Sequence, residues 1–207
     1  MAGSRIGRRG VAPLLLLWLG AGMAAAQPSG PAAPIAMLND ALLKIMHMGA
    51  ATPFAARAAA MTPVVQQVFD LPGILRVSVG FRWSSIPPAQ QAELLDLLTR
   101  YTVDSYVANF DSFNGQRFEI APQTRKVGRD VVVQTRILPV SGDPSRIDFQ
   151  MRETGATWKA VDVLLDGTIS RVAVQRSDFG ALLGSGGAAA LIASLRSKCA
   201  SLESGGG

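Results

Sequence analysis

Apolar residues change their spacing twice along this chain. From Ile35 they recur at helical intervals, as Ile35, Leu38, Leu42, Ile45 and Met46, and the run stops at Gly49. Thr52-Pro53 and Thr62-Pro63 each set a capping hydroxyl before a proline, so each predicts the opening of a helix. "LPGILRVSVG" (71–80) reads as a short helix started by Pro72 and stopped by Gly80. Pro87-Pro88 opens a long helix to about Asn109, with Leu94, Leu98, Tyr101, Ser105 and Phe110 along one flank. The period then becomes two. Residues 115–122, 130–140, 145–153 and 157–166 alternate like strands, and the short polar and glycine-rich connections between them predict an antiparallel meander. After Gly167 helical spacing returns, with Val172, Arg176, Phe179 and Leu183 as one stripe. "GSGG" (184–187) breaks it, and "AAALIASLRSK" supplies a last helix. Helices, then strands, then helices predict an α+β fold with helices laid on one face of a curved sheet of about four strands.

One stretch departs from simple alternation. In "WKAVDVLLDGTISRVAVQRSDF", Val161, Val163 and Leu165 share one face by period two, while Trp158, Ala160 and Leu164 share the other, interrupted only by Asp162. A strand apolar on both faces must be covered on both. Something beyond an ordinary half-wet sheet is needed there.

Composition narrows the possibilities. Of 207 residues, 48% are hydrophobic and 17% charged, which suits one globular unit. Arg5, Arg8 and Arg9 precede the apolar run "VAPLLLLWLGAG" (11–22), and "AAA" (24–26) follows. That is the pattern of a cleaved secretory signal over residues 1–26, too short to span a bilayer comfortably. Its removal takes three arginines and no acid, so the net charge falls from +5 to +2. A balance so near neutral does not call for nucleic acid. Residues 27–34 ("QPSGPAAP") read as a flexible linker, 35–198 as one domain and 199–207 as a flexible tail. Cys199, the sole cysteine, has no partner for a disulfide within the chain.

Catalytic chemistry is sparse. His47, the single histidine, ends an apolar helix in "KIMHMG", where a structural role is expected. No Cys/His set suits zinc, no serine triad can be assembled, and no phosphate loop precedes a helix. Neither metal nor cofactor is therefore expected. Asp162 is the sharpest exception. A carboxylate among Trp158, Ala160 and Leu164 could act as a base with a raised pKa, or could accept hydrogen bonds that hold the sheet. The basic run "RKVGR" (125–129) reads as a solvated hairpin tip or as a docking patch for an anionic group.

Taken in order, "FDLPGILRVSVGFRW", "LTRYTVDSYVANF", "WKAVDVLLDGTISRVAVQRSDF" and "GGAAALIASLRSK" resemble the MlaC-type carriers. These periplasmic lipid-binding proteins, also called toluene-tolerance auxiliary components, belong to the system that keeps the outer membrane asymmetric. "RYTVDSYVANFDSFNGQRFE" and "DGTISRVAVQRSDF" are most similar to the hopanoid-associated branch, HpnM. The segment after the strand, "DGTISRVAVQ", is one residue longer than the commoner family form. The resemblance implies an NTF2-like α+β fold around an apolar pocket, a lipid carrier without catalysis, and periplasmic location. It also implies a phospholipid or hopanoid ligand and an inner-membrane transporter of the ABC or RND type as partner, while the lack of an uncovered edge or heptad pattern makes a monomer the expectation. The alternative is an exported NTF2-like enzyme of lipid metabolism with Asp162 as its base.

The expected pocket wall follows from the apolar stripes. Phe69, Ile74, Leu75, Val79 and Trp83 come from the first helical half, and Tyr106 and Phe110 from the end of the long helix. Phe149, Met151, Val161, Val163 and Leu165 come from one strand face, and Ile169 and Val172 from the segment after Gly167.

Overall fold

The computed structural model describes residues 30–205. The expected signal segment lies outside them. A 3₁₀ turn, Gly30–Ala32, leads into α1 (Ala33–Met48), so the described part of the proline-rich segment is already helical. Pro34 sits in the first turn, where its missing N–H is no loss. Next come α2 (Phe54–Val68), α3 (Leu71–Val79), a 3₁₀ segment (Gly80–Ser85) and α4 (Pro88–Asn109). Five strands follow: β1 (Arg117–Val127), β2 (Asp130–Leu138), β3 (Ser145–Thr154), β4 (Thr157–Leu165) and β5 (Ile169–Ser170), and then α5 (Arg171–Glu203). The strands pair antiparallel in the order β1-β2-β3-β4-β5, so the meander and the α+β class are as expected, with one short extra strand.

Local chemistry explains most boundaries. Asp70 caps α3 by accepting the Gly73 amide at 3.1 Å, and a β-carbon at 73 would stand 2.2 Å from Asp70 Oδ2, so the cap needs glycine there. Two of the expected helix openings behave differently. The Thr52 hydroxyl donates to the Met48 carbonyl at 2.7 Å and so closes α1, leaving Pro53 as the cap of α2. Thr62-Pro63 opens nothing: Pro63 lies inside α2. The carbonyl that loses its partner belongs to Ala59, and both residues are exposed, so water can serve it.

The glycine break is real but sits within one continuous element. Gly186 and Gly187 leave helical geometry inside α5, with φ of −150° and 65°. Beyond them α5 runs to Glu203, so the expected flexible tail is helical over 199–203. Cys199 is buried there, and Arg100 of α4 pairs with Glu203. α5 is long and apolar enough to cross a membrane, and it packs one side against α3 and α4.

The sheet has one apolar and one polar face. Phe118 and Ile120 of β1, Val133 and Thr135 of β2, and Ile147, Phe149 and Met151 of β3 share the face toward the helices. On the opposite face of β3, Arg146 pairs with Asp148 at 2.7 Å and Arg152 with Asp130 at 2.7 Å. β4 answers the puzzle of the doubly apolar strand. Phe149 faces Val163 and Gln150 faces Asp162, but Met151 faces Ala160. Val161 is an extra residue, a bulge that shifts the alternation by one. Trp158, Ala160, Val163 and Leu165 therefore stand on the helix-facing side together, with Lys159, Asp162 and Leu164 opposite. The strand has one apolar face.

Candidate functional site

The helices do not close fully on the sheet. Between them lies a cavity of about 590 Å³. Its floor is the apolar sheet face, through Phe118, Ile137, Ile147, Phe149, Val163 and Leu165. Its roof comes from Leu42 of α1, Leu71 and Ile74 of α3, and Leu98, Tyr101 and Tyr106 of α4, with Val172 of α5 at one side. The segment between α2 and α3 is pinned to β4, where the Asp70 amide donates to the Ala160 carbonyl at 3.0 Å. That tie brings Phe69 to the cavity, where a chain of rings begins. Phe69 lies 6.0 Å from Tyr106 and 6.4 Å from Phe149, Tyr106 lies 6.2 Å from Phe110, and Phe110 lies 6.0 Å from Phe118. These separations are those of favourable tilted aromatic pairs.

Eight of the fourteen residues expected on the pocket wall border this cavity: Phe69, Ile74, Tyr106, Phe110, Phe149, Val163, Leu165 and Val172. The other six do not. Leu75, Val79 and Met151 are buried in the solid core, because α3 is covered on two sides and Met151 sits against Ala160. Trp83 is half-buried on the 3₁₀ segment, with the Arg76 guanidinium 5.8 Å from its ring centre. Val161 is the bulged residue. Ile169 lies on the edge strand and is 51% exposed.

Several wall residues escaped the sequence reading. Ile147 and Phe118 carried a signal, since each alternates in step with its strand's other inward residues. Leu42, Tyr101 and Leu98 lay in recognised helical stripes, but nothing in those stripes separates cavity from core.

Asp162 borders the cavity, and its oxygens are occupied. Oδ1 accepts the amides of Val163 at 2.7 Å and Val172 at 3.1 Å, while the Ser170 hydroxyl donates to Oδ2. The carboxylate thereby ties β4 to the start of α5, the hydrogen-bonding role weighed against catalysis. Tyr106 is a half-buried titrating group of the wall. Desolvation holds its phenol far above the ordinary range, only partly offset by the charge of Arg171. Among the described residues no cluster of three His, Cys, Asp or Glu could hold a metal ion. His47 stacks on Phe113 at 3.9 Å and bonds through Nδ1 to the Leu43 carbonyl, remote from the cavity wall.

A second hollow of about 620 Å³ lies on the other flank of α4. Ala55, Ala58 and Thr62 of α2 face Asp96, Arg100 and Asp104 of α4 across it, with Glu203 of α5 at one end. Asp104 is 2% exposed, and its Oδ2 has no hydrogen-bond partner, although the Arg100 Nε lies 3.6 Å away. Burial, reinforced by Glu203 and opposed by Arg100, pushes its pKa from 3.8 to about 6.

A family model described as "MlaC protein" matches residues 37–197. No curated protein matches this sequence significantly. Among solved structures, a phospholipid-binding protein from Ralstonia solanacearum, in complex with a phospholipid, superposes with a TM-score of 0.74. It is 19% identical in sequence, and the match covers 84% of this chain and 99% of that one.

Proposed function

The chain belongs to the MlaC family, and on that premise we propose that it is a lipid carrier of the periplasm. It holds the tails of a phospholipid or hopanoid-like lipid in the cavity between sheet and helices, and passes that lipid between membrane-bound transport components. The observation that carries this reading is the 590 Å³ apolar space with its chain of aromatic rings, a size within the ordinary range of small-molecule sites. A lipid tail gains about 0.8 kcal/mol for each CH₂ taken from water, so a long acyl chain gains roughly 10 kcal/mol without any titrating group taking part. The likeness to a phospholipid-binding fold supports the same reading. It assigns the protein no reaction: Asp162, the carboxylate of the enzyme alternative, has its oxygens committed to internal donors.

The carrier works as a monomer. Within this reading the HpnM resemblance favours a transporter of the RND type as the inner-membrane partner, and the wider family an ABC transporter. Co-purification with each decides between them. Native mass spectrometry of the secreted chain, purified from a lipid-containing host, tests the central claim. The expected spectrum shows protein plus lipid. Protein that arrives empty and takes up no lipid from vesicles overturns the reading.

A further inference from the structure

Two charged side chains border the cavity, Asp162 and Arg171. The first is matched by internal donors, as described. The second is not. Arg171 is exposed at the first position of α5, and no carboxylate among the described residues lies within ion-pair distance of it. Helix stability does not account for the residue there, because a cation in the first turn works against the helix dipole. Nor is the helix start itself a free anion site. The Val172 amide is taken by Asp162, and the Ala173 amide donates to the Ser170 hydroxyl at 2.9 Å. An anion at this end of the cavity would have to be met by the arginine side chain.

Tyr106 faces the same space from α4. It borders the cavity with Arg171, the arginine's charge is felt at its hydroxyl, and no internal acceptor for that hydroxyl occurs among the described residues. Its raised pKa keeps it a proton donor throughout the physiological range. The apolar wall and these two donors belong to one continuous surface, with the guanidinium at its solvent-exposed end. A guanidinium presents a planar fork of N–H groups that suits two oxygens of one phosphate.

We propose that Arg171, with the Tyr106 hydroxyl on the same cavity wall, forms a headgroup site at the mouth of the tail cavity. It selects lipids that carry a phosphate over uncharged lipids with the same tails. The inference rests on the carrier reading above and adds what that reading leaves open. Tail burial cannot distinguish two acyl chains from a fused-ring lipid, whereas a phosphate-reading arginine disfavours any uncharged occupant.

The test uses the secreted chain stripped of lipid. Uptake is measured by native mass spectrometry from vesicles containing phosphatidylglycerol or diacylglycerol with identical acyl chains. Wild type should prefer phosphatidylglycerol. Arg171→Gln should weaken phosphatidylglycerol binding about tenfold, the loss expected for a charge-assisted hydrogen bond, and leave diacylglycerol unchanged. Tyr106→Phe should act in the same direction by about two- to threefold. Glycerol 3-phosphate, offered alone, should bind far more weakly than the lipid. An Arg171→Gln variant that loses both lipids equally, or neither, overturns the headgroup site. Glycerol 3-phosphate binding as tightly as lipid also overturns it, in favour of a soluble phosphate ligand. Failure of wild type to take up either lipid is the distinct result that removes the carrier reading itself.

Discussion

The two flanks of α4 border hollows of nearly equal size and unlike character. Leu98, Tyr101, Ser105, Tyr106 and Asn109 look into the inner cavity, while Asp96, Thr99, Arg100, Val103 and Asp104 look into the outer cleft. Each set recurs at intervals of three and four residues, so one helix serves both. The inner wall is shared by helices and sheet and is ringed with aromatics. The outer wall is built by helices alone, its alanines at 55 and 59 are exposed, and Arg100 spans it toward Asp104 and Glu203. Volume alone does not make a lipid site. What separates the two is an apolar surface closed from two sides.

The comparison also sets two carboxylates against each other. Asp162 receives two amides and a hydroxyl, whereas Asp104 has only the Arg100 guanidinium at 3.6 Å and the weak donor thiol of Cys199 near it, and leaves one buried oxygen unmatched. A buried charge with donors can anchor a structure, and one without them is a burden on it.

The largest effect should come from contrasting solid core with cavity wall. Leu75 is 0% exposed, and Leu75→Glu places an unpaired charge where nothing can solvate it. The cost is several kcal/mol, enough to leave the chain unfolded by circular dichroism. Val163→Glu aims the same charge into the cavity, where water can enter once lipid is absent. That variant should melt cooperatively yet purify without lipid. If both variants fail to fold, the inner hollow is ordinary core.

Asp104 supplies the next effect, and its sign can be derived. Its pKa is about 6 in the folded chain against 3.8 for an ordinary aspartate, so the native state binds more protons between those values. Stability therefore falls as pH rises from about 4 to 6, by roughly 2–3 kcal/mol in all, and stays reduced above that. Asp104→Asn should match wild type near pH 4 and exceed it at pH 7. Urea unfolding across that range checks it, and a difference independent of pH would mean that Arg100 already compensates the charge.

Asp162→Asn should cost about 1–2 kcal/mol, because the two backbone amides lose a charged acceptor and the oxygen that accepts from the Ser170 hydroxyl becomes a donor. Lipid loading should persist at temperatures well below the melt. A variant of wild-type stability would show that the tie between β4 and α5 is dispensable. Ile169→Glu is the smallest: on an exposed edge it should change stability by no more than about 0.5 kcal/mol and leave lipid binding intact.

Much of this fold was legible in the chain itself. Pro87-Pro88 marked the start of α4 and the strand alternation marked the meander, because both signals are carried by neighbouring residues. After Gly167 the return of helical spacing gave no sign of β5: the chain first turns at Asp166-Gly167, where both residues take positive φ, 50° and 73°, and pairs once more before α5 begins. The cavity wall was legible only in part. Period two placed Phe149, Val163 and Leu165 correctly on the inner face, but it put Val161 there and Ala160 opposite.

The sequence by itself determined the α+β order, the antiparallel meander and an apolar surplus that had to be buried somewhere. Tertiary structure decided where that burial stops short. The bulge at Val161 lies where β4 pairs with β3 on one side and Ala160 accepts the Asp70 amide on the other, and Asp70 is far away in sequence. Leu75 and Ile74 are adjacent apolar residues of one helix, yet one is sealed in core and the other borders the hollow. Hydrophobicity specifies that a side chain leaves water. Whether protein or a ligand meets it depends on how closely the facing element approaches, and that distance is set by residues far along the chain.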